Sequence, residues 1–206
     1  MKNLLIKITL SLSFSFFYLI SLGQGCSDAG FCTINGLSSQ ENTSKHEIKI
    51  GLGLGQANYE IQIISPYLEY TFRASDKISL TGKATAISQQ SDTLSNSGAS
   101  DVYLSANYRL NENSSFTIGG KFPLSDGNQL SEYNQPLPLD YQSSLGTVDL
   151  ILGYSYSFNK LHLALGIQQP LTDNKNEYSS DLYQQFDESG LAGFQTTNQF
   201  KRQGDV

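Results

Sequence analysis

The sequence predicts an all-β chain: an antiparallel up-and-down transmembrane β-barrel, with about eight strands in these 206 residues and more expected beyond Val206. Three observations predict it. From His46 onward apolar and polar residues alternate with period two. The alternating runs are about 9–12 residues long, which suits a tilted bilayer crossing better than the 5–6 usual for globular strands. Aromatic residues on the apolar face gather beside the short connections, as an interfacial girdle requires.

The first element is a signal peptide over residues 1–23. Lys2 and Lys7 form its positive start, an apolar run follows, and Ser21-Leu22-Gly23 offers small residues for cleavage before Gln24. A membrane anchor fits less well, because the run is short and no positive stop-transfer flank follows. Removing Lys2 and Lys7 takes the 13 basic residues to 11 against 19 acidic, a net charge of −8. Such a chain is a poor partner for nucleic acid, whose phosphates need a basic surface. With 12 Tyr, 11 Phe, 18 Gly and only 16% charged residues, its composition favours strands over helix.

An N-terminal segment, 24–45, follows and carries both cysteines, Cys26 and Cys32. An even pair in an exported chain predicts a disulfide, and no neighbouring His or second pair suggests a metal site.

The barrel itself is expected over 46–206. Strands are predicted at 46–55, 62–73, 77–88, 101–110, 115–123, 148–158 and 161–169, with an eighth opening near Phe200. In the first, Ile48, Ile50, Leu52 and Leu54 oppose Glu47, Lys49, Gly51 and Gly53. In the sixth, Leu150, Leu152, Tyr154, Tyr156 and Phe158 oppose Asp149, Gly153, Ser155 and Ser157. Short connections are predicted at 74–76, 111–114 and 159–160, and long ones at 89–100, 124–147 and 170–199. Only the first connection, 56–61, breaks the alternation of short turns and long loops that outer-membrane barrels show. The girdle would comprise Tyr70, Phe72, Tyr108, Phe116, Tyr156 and Phe158. The last segment, from Phe200 to Val206, offers only the start of a strand, so further strands are expected; a small eight-stranded barrel with a shortened last strand is the alternative.

Three blocks carry a family resemblance. They are Ser97-Gly-Ala-Ser-Asp101-Val-Tyr-Leu-Ser-Ala-Asn-Tyr-Arg109-Leu, Gly120-Lys-Phe-Pro-Leu124 and Leu145-Gly-Thr-Val-Asp149-Leu-Ile-Leu-Gly153. Together they resemble the outer-membrane transporter-like family named for the phenol-degradation pathway, where a Gly-Asp start precedes an alternating strand ending in Tyr-Arg. Ala99-Ser100 departs from that pattern, which would place Gly directly before the Asp. The resemblance spans residues 97–158 and implies an outer-membrane barrel that passes small molecules. It brings neither a substrate nor catalytic residues.

If the apolar face meets lipid, the polar face lines a lumen. The candidate lumen residues are Lys49, Glu69, Arg73, Lys83, Asp101, Arg109, Lys121, Asp149 and His162, joined by Glu47. They suit either a polar conduit that prefers anionic or hydrogen-bonding solutes, or an interior filled with paired charges. Acidic residues concentrate in the long connections; Asp173, Glu177, Asp187 and Glu188 invite a calcium site, but no run has calcium-loop spacing, and solvated loops fit better. His46 and His162 are the only histidines and no nucleophile motif accompanies them, so no enzyme is expected. Gly51-Leu-Gly53-Leu-Gly55 lies in a strand pattern with no helix after it, which excludes a nucleotide loop.

The chain is therefore expected in the outer membrane of a Gram-negative bacterium, as a channel or passive transporter for small solutes. Its expected partners are outer-membrane lipid, lipopolysaccharide and the barrel-assembly machinery, with no cofactor. The alternative is a structural or surface-interaction barrel with acidic external loops and no open pore.

Overall fold

A computed structural model describes residues 44–198 and 201, apart from positions 93, 133, 160 and 184–190. The expected signal peptide, the Cys26–Cys32 pair and the eighth strand expected from Phe200 lie outside the described residues.

Seven strands form one antiparallel sheet in sequential order. They are β1 (His46–Gln56), β2 (Gln62–Arg73), β3 (Ile78–Gln90), β4 (Ser95–Arg109), β5 (Ser114–Pro123), β6 (Asp149–Phe158) and β7 (Leu161–Pro170). Each pairs with the next in sequence. Among the described residues β1 and β7 do not pair with each other, so the sheet is open. The only helical elements described are short 3-10 turns, and no described helix is long and apolar enough to cross a membrane.

The period-two pattern sets the register, because a one-residue slip would exchange the faces of a strand. One cross-strand row is Ile48, Tyr70, Gly82, Leu104, Gly120 and Leu150. The row one residue along is Lys49, Glu69, Lys83, Tyr103, Lys121 and Asp149. Burial is inverted relative to a protein that folds in water. Ile50 is 82% exposed, Leu54 75% and Leu165 71%, while Glu69 and Lys121 are 2% exposed and Asp149 1%. Exposed large apolar side chains run across all seven strands. Of the expected aromatic band, Tyr70, Tyr108, Phe116, Tyr156 and Phe158 are exposed on that face beside the turns, while Phe72 is half-buried against His46.

Three turns close one end of the sheet. In the β2–β3 turn the Ser75 hydroxyl accepts from the Ile78 amide at 3.1 Å. In the β4–β5 turn the Asn111 side-chain oxygen accepts from the Asn113 amide at 2.9 Å, an Asx turn. Between β6 and β7, Asn159 takes a left-handed φ of 52°, a conformation Asn tolerates and tight hairpins need.

One expected connection is corrected. The long loop predicted at 89–100 is mostly strand: β3 continues to Gln90 and β4 begins at Ser95, leaving 91–94 as the turn. The register shifts between Ala84 and Ala86, where Ser100 and Asp101 oppose Thr85. The Thr85 hydroxyl donates to the Asp101 carbonyl at 3.0 Å and accepts from the Asp101 amide at 3.1 Å. This bulge reverses the phase of β4, so Asn96 and Gly98 share the polar face with Asp101 and Tyr103.

At the opposite end the chain between β5 and β6 and the chain after β7 fold into a cap. Ile61, Leu137, Tyr141, Tyr178, Tyr183, Leu191 and Phe194 form its core, with Ala57, Ile63 and Leu94 packed against them. The largest buried apolar cluster is thus this cap and not the apolar face of the sheet. At the neck of the first cap segment Gly127 and Gly146 take φ of 74° and 70°. A Cβ on Gly146 would stand 2.1 Å from the Asp126 carbonyl oxygen, so only glycine permits this crossing.

Candidate functional site

Every candidate side chain lies on the polar face, at one of two levels. The upper level is the row from Lys49 to Asp149. The Lys49 ammonium is 3.1 Å from Glu47 and 3.9 Å from Glu69. Lys83 stands 4.2 Å over the ring of Tyr67. That ring fits because Gly51 opposes it: a Cβ there would be 2.2 Å from the ring. This close packing is what the β1 glycine run provides. Lys121 pairs with Asp149 at 3.1 Å, fully buried. The Lys121 ammonium also donates to the Thr147 hydroxyl at 3.2 Å, and the Gln168 amide donates to Asp149. These added hydrogen bonds are what make a buried ion pair tolerable.

The cap is tied to the sheet at this end. Ser144 donates to Asp101 at 2.6 Å, Gln89 donates to the Gln142 carbonyl at 3.0 Å, and Asn96 donates to Gln129 at 2.7 Å and to the Tyr141 carbonyl. Within the cap Asn176 donates to the carbonyls of Gly127 at 3.1 Å and Leu137 at 2.9 Å, joining its two segments. Burial pushes the Tyr178 phenol up to about 12 and raises the Asp140 carboxyl above its ordinary range.

The lower level is open. A cavity of about 390 Å³ lies at the turn end, lined by Lys49, Arg73, Arg109 and His162 with many hydroxyl and amide side chains. Its walls carry cross-strand polar pairs: Thr71–Thr81 at 2.9 Å, Asn107–Thr117 at 2.9 Å, Ser115–Ser155 at 2.7 Å and Ser157–His162 at 2.8 Å.

The structure therefore brings Lys49, Glu69 and Lys83 together, and Asp101, Lys121 and Asp149 together. It leaves Arg73, Arg109 and His162 apart at the turn end. Sequence reasoning missed Tyr67 and Ile151 on the polar face; Ile151 packs there on Tyr103, which the alternation of β4 had put on that face. An apolar residue in the polar phase of a strand was the signal. It also missed Ser144 and Thr147, for which no sequence signal exists, since loops carry no period; Gln168 was read onto the polar face, but not its bond to Asp149. Among the described residues no group of three or more His, Cys, Asp or Glu side chains could hold a metal; Asp187 and Glu188 lie outside them.

No protein-family model matches this chain, and no curated protein matches it either.

Proposed function

We propose that this chain forms the wall of an outer-membrane β-barrel that passes small polar solutes, as a channel or passive transporter. One observation carries the proposal: the sheet is inside out, with its apolar side chains exposed across seven strands and Glu69, Lys83, Asp101, Lys121 and Asp149 buried. In water such a face would exceed by far the few hundred Å² that soluble monomers expose. In a bilayer it is the face that lipid requires. The exposed aromatic band beside the turns fits the level of the headgroups. Lipid, lipopolysaccharide and the assembly machinery are the partners this reading implies. It also requires the β1 and β7 edges to be paired, because unpaired backbone groups in hydrocarbon cost several kcal/mol each.

Membrane fractionation tests the proposal, followed by electrophoresis with and without boiling. Outer-membrane material with a heat-dependent mobility shift, and conductance in planar bilayers, are the expected results. Recovery as soluble periplasmic protein sinks it. The second reading, a surface-interaction barrel without an open pore, is favoured by the cap that fills the loop end. It predicts that deleting residues 171–198 abolishes surface binding and leaves permeability unchanged.

A further inference from the structure

The turn-end cavity has chemistry that the conduit reading does not use. Among the described residues Arg73 and Arg109 make no ion pair with a carboxylate. Both line the same cavity of about 390 Å³. They sit on β2 and β4, two strands apart and two residues out of row, since Arg73 lines up with Asn107, hence about 12 Å between their backbones. Of the carboxylates around the cavity, Glu47 is engaged by Lys49 at 3.1 Å, while Asp76 and Glu112 lie on the connecting turns. The wall between the two arginines carries Ser79, Thr81, Ser105 and Asn107, with a third cation, Lys77, beside Arg109. Each hydroxyl that pairs with a neighbour keeps a further donor or acceptor site for a ligand. Above this level stand the Lys49-to-Asp149 row and then the cap, so the cavity is a cup on the polar face at the turn end.

We propose that this cup binds a small hydroxylated carboxylate. The guanidiniums of Arg73 and Arg109 hold the oxyanion, for which their planar donor forks are suited. The Thr71, Thr81, Ser115 and Ser155 side chains receive its hydroxyls. The assignment deepens the conduit reading, on which it rests for the solute's route, by naming the solute class.

Calorimetric titration of the folded full-length protein with gluconate tests it, using glucose as the uncharged comparison. Gluconate is expected to bind and glucose to bind at least about tenfold more weakly, since a hydrogen bond to a charged group is worth about tenfold or more. R73Q and R109Q are each expected to weaken gluconate by about tenfold, and R73K to lose less because it keeps the charge. Equal affinity for the two sugars in the unaltered protein, no binding of gluconate, or indifference to both glutamine variants overturns the assignment. Conductance separates this outcome from the fate of the conduit. A conducting protein that ignores gluconate keeps the conduit and loses the cup. A protein that binds gluconate through the arginines and never conducts keeps the cup and loses the conduit.

Discussion

The two ends of one polar face solve the problem of charge in opposite ways. At the loop end Lys121, Asp149 and Asp101 are buried, and each is met by a partner: an opposite charge, Thr147, Gln168 or Ser144. At the turn end Arg73 and Arg109 face an open cavity and make no ion pair among the described residues. Water explains the difference. A charge removed from it must be paired or it costs several kcal/mol, whereas a charge beside it needs nothing and is free to meet a solute. One end is built for stability and the other for encounter.

If that contrast is right, the same kind of substitution should have very different effects at the two ends. The largest effect is expected for K121M, which strands the Asp149 carboxylate. It should cost about 3–5 kcal/mol of unfolding free energy in denaturant titrations, and the double change with D149L should recover most of the loss. A full loss in the double variant would show that the pair matters beyond charge balance. Next comes pH. The Tyr178 phenol is pushed up to about 12 from 10.0. Between pH 10 and 12 the unfolded chain has lost that proton and the folded cap still holds it. Stability therefore falls as pH rises through this window, by roughly 2–3 kcal/mol. Faster proteolysis within residues 124–147 at pH 11 than at pH 9, with a denatured substrate to correct for the protease, would report it. N176A removes two of the bonds joining the two cap segments and should cost about 1–3 kcal/mol, again seen as cap proteolysis. Smallest is R109Q at the open end, expected within about 0.5 kcal/mol of the parent. A loss comparable to that of K121M would erase the distinction between the ends.

The strands and their facing were legible because apolar and polar residues alternate wherever one face is buried and the other is not. β2 and β7 matched their predicted spans to within a residue for that reason. The early part of β4 was not legible. Ser95-Asn-Ser-Gly-Ala-Ser has no large apolar residue to show a period, and the bulge at Ser100 and Asp101 reverses the phase in the middle of the strand. The candidate residues were read onto the polar face, yet not their grouping. Lys121 and Asp149 meet as direct partners in the β5–β6 register, which alternation alone does not fix across a long connection, and Ser144 reaches Asp101 from within that connection. The second kind of contact depends on the folding of a loop, which leaves no trace in periodicity.

The glycine crossing at the neck of the cap has a consequence for variation. Because the chain touches itself at Gly127 and Gly146, the residues between them leave and return at one point. Doubling the length of such an excursion adds only about 0.6 kcal/mol of closure entropy. The segment 128–145 therefore has room for added length away from Gln129, Leu137, Tyr141, Gln142 and Ser144, which tie it to the sheet and to the cap core. Insertions there are cheap, provided those anchors and the two glycines remain.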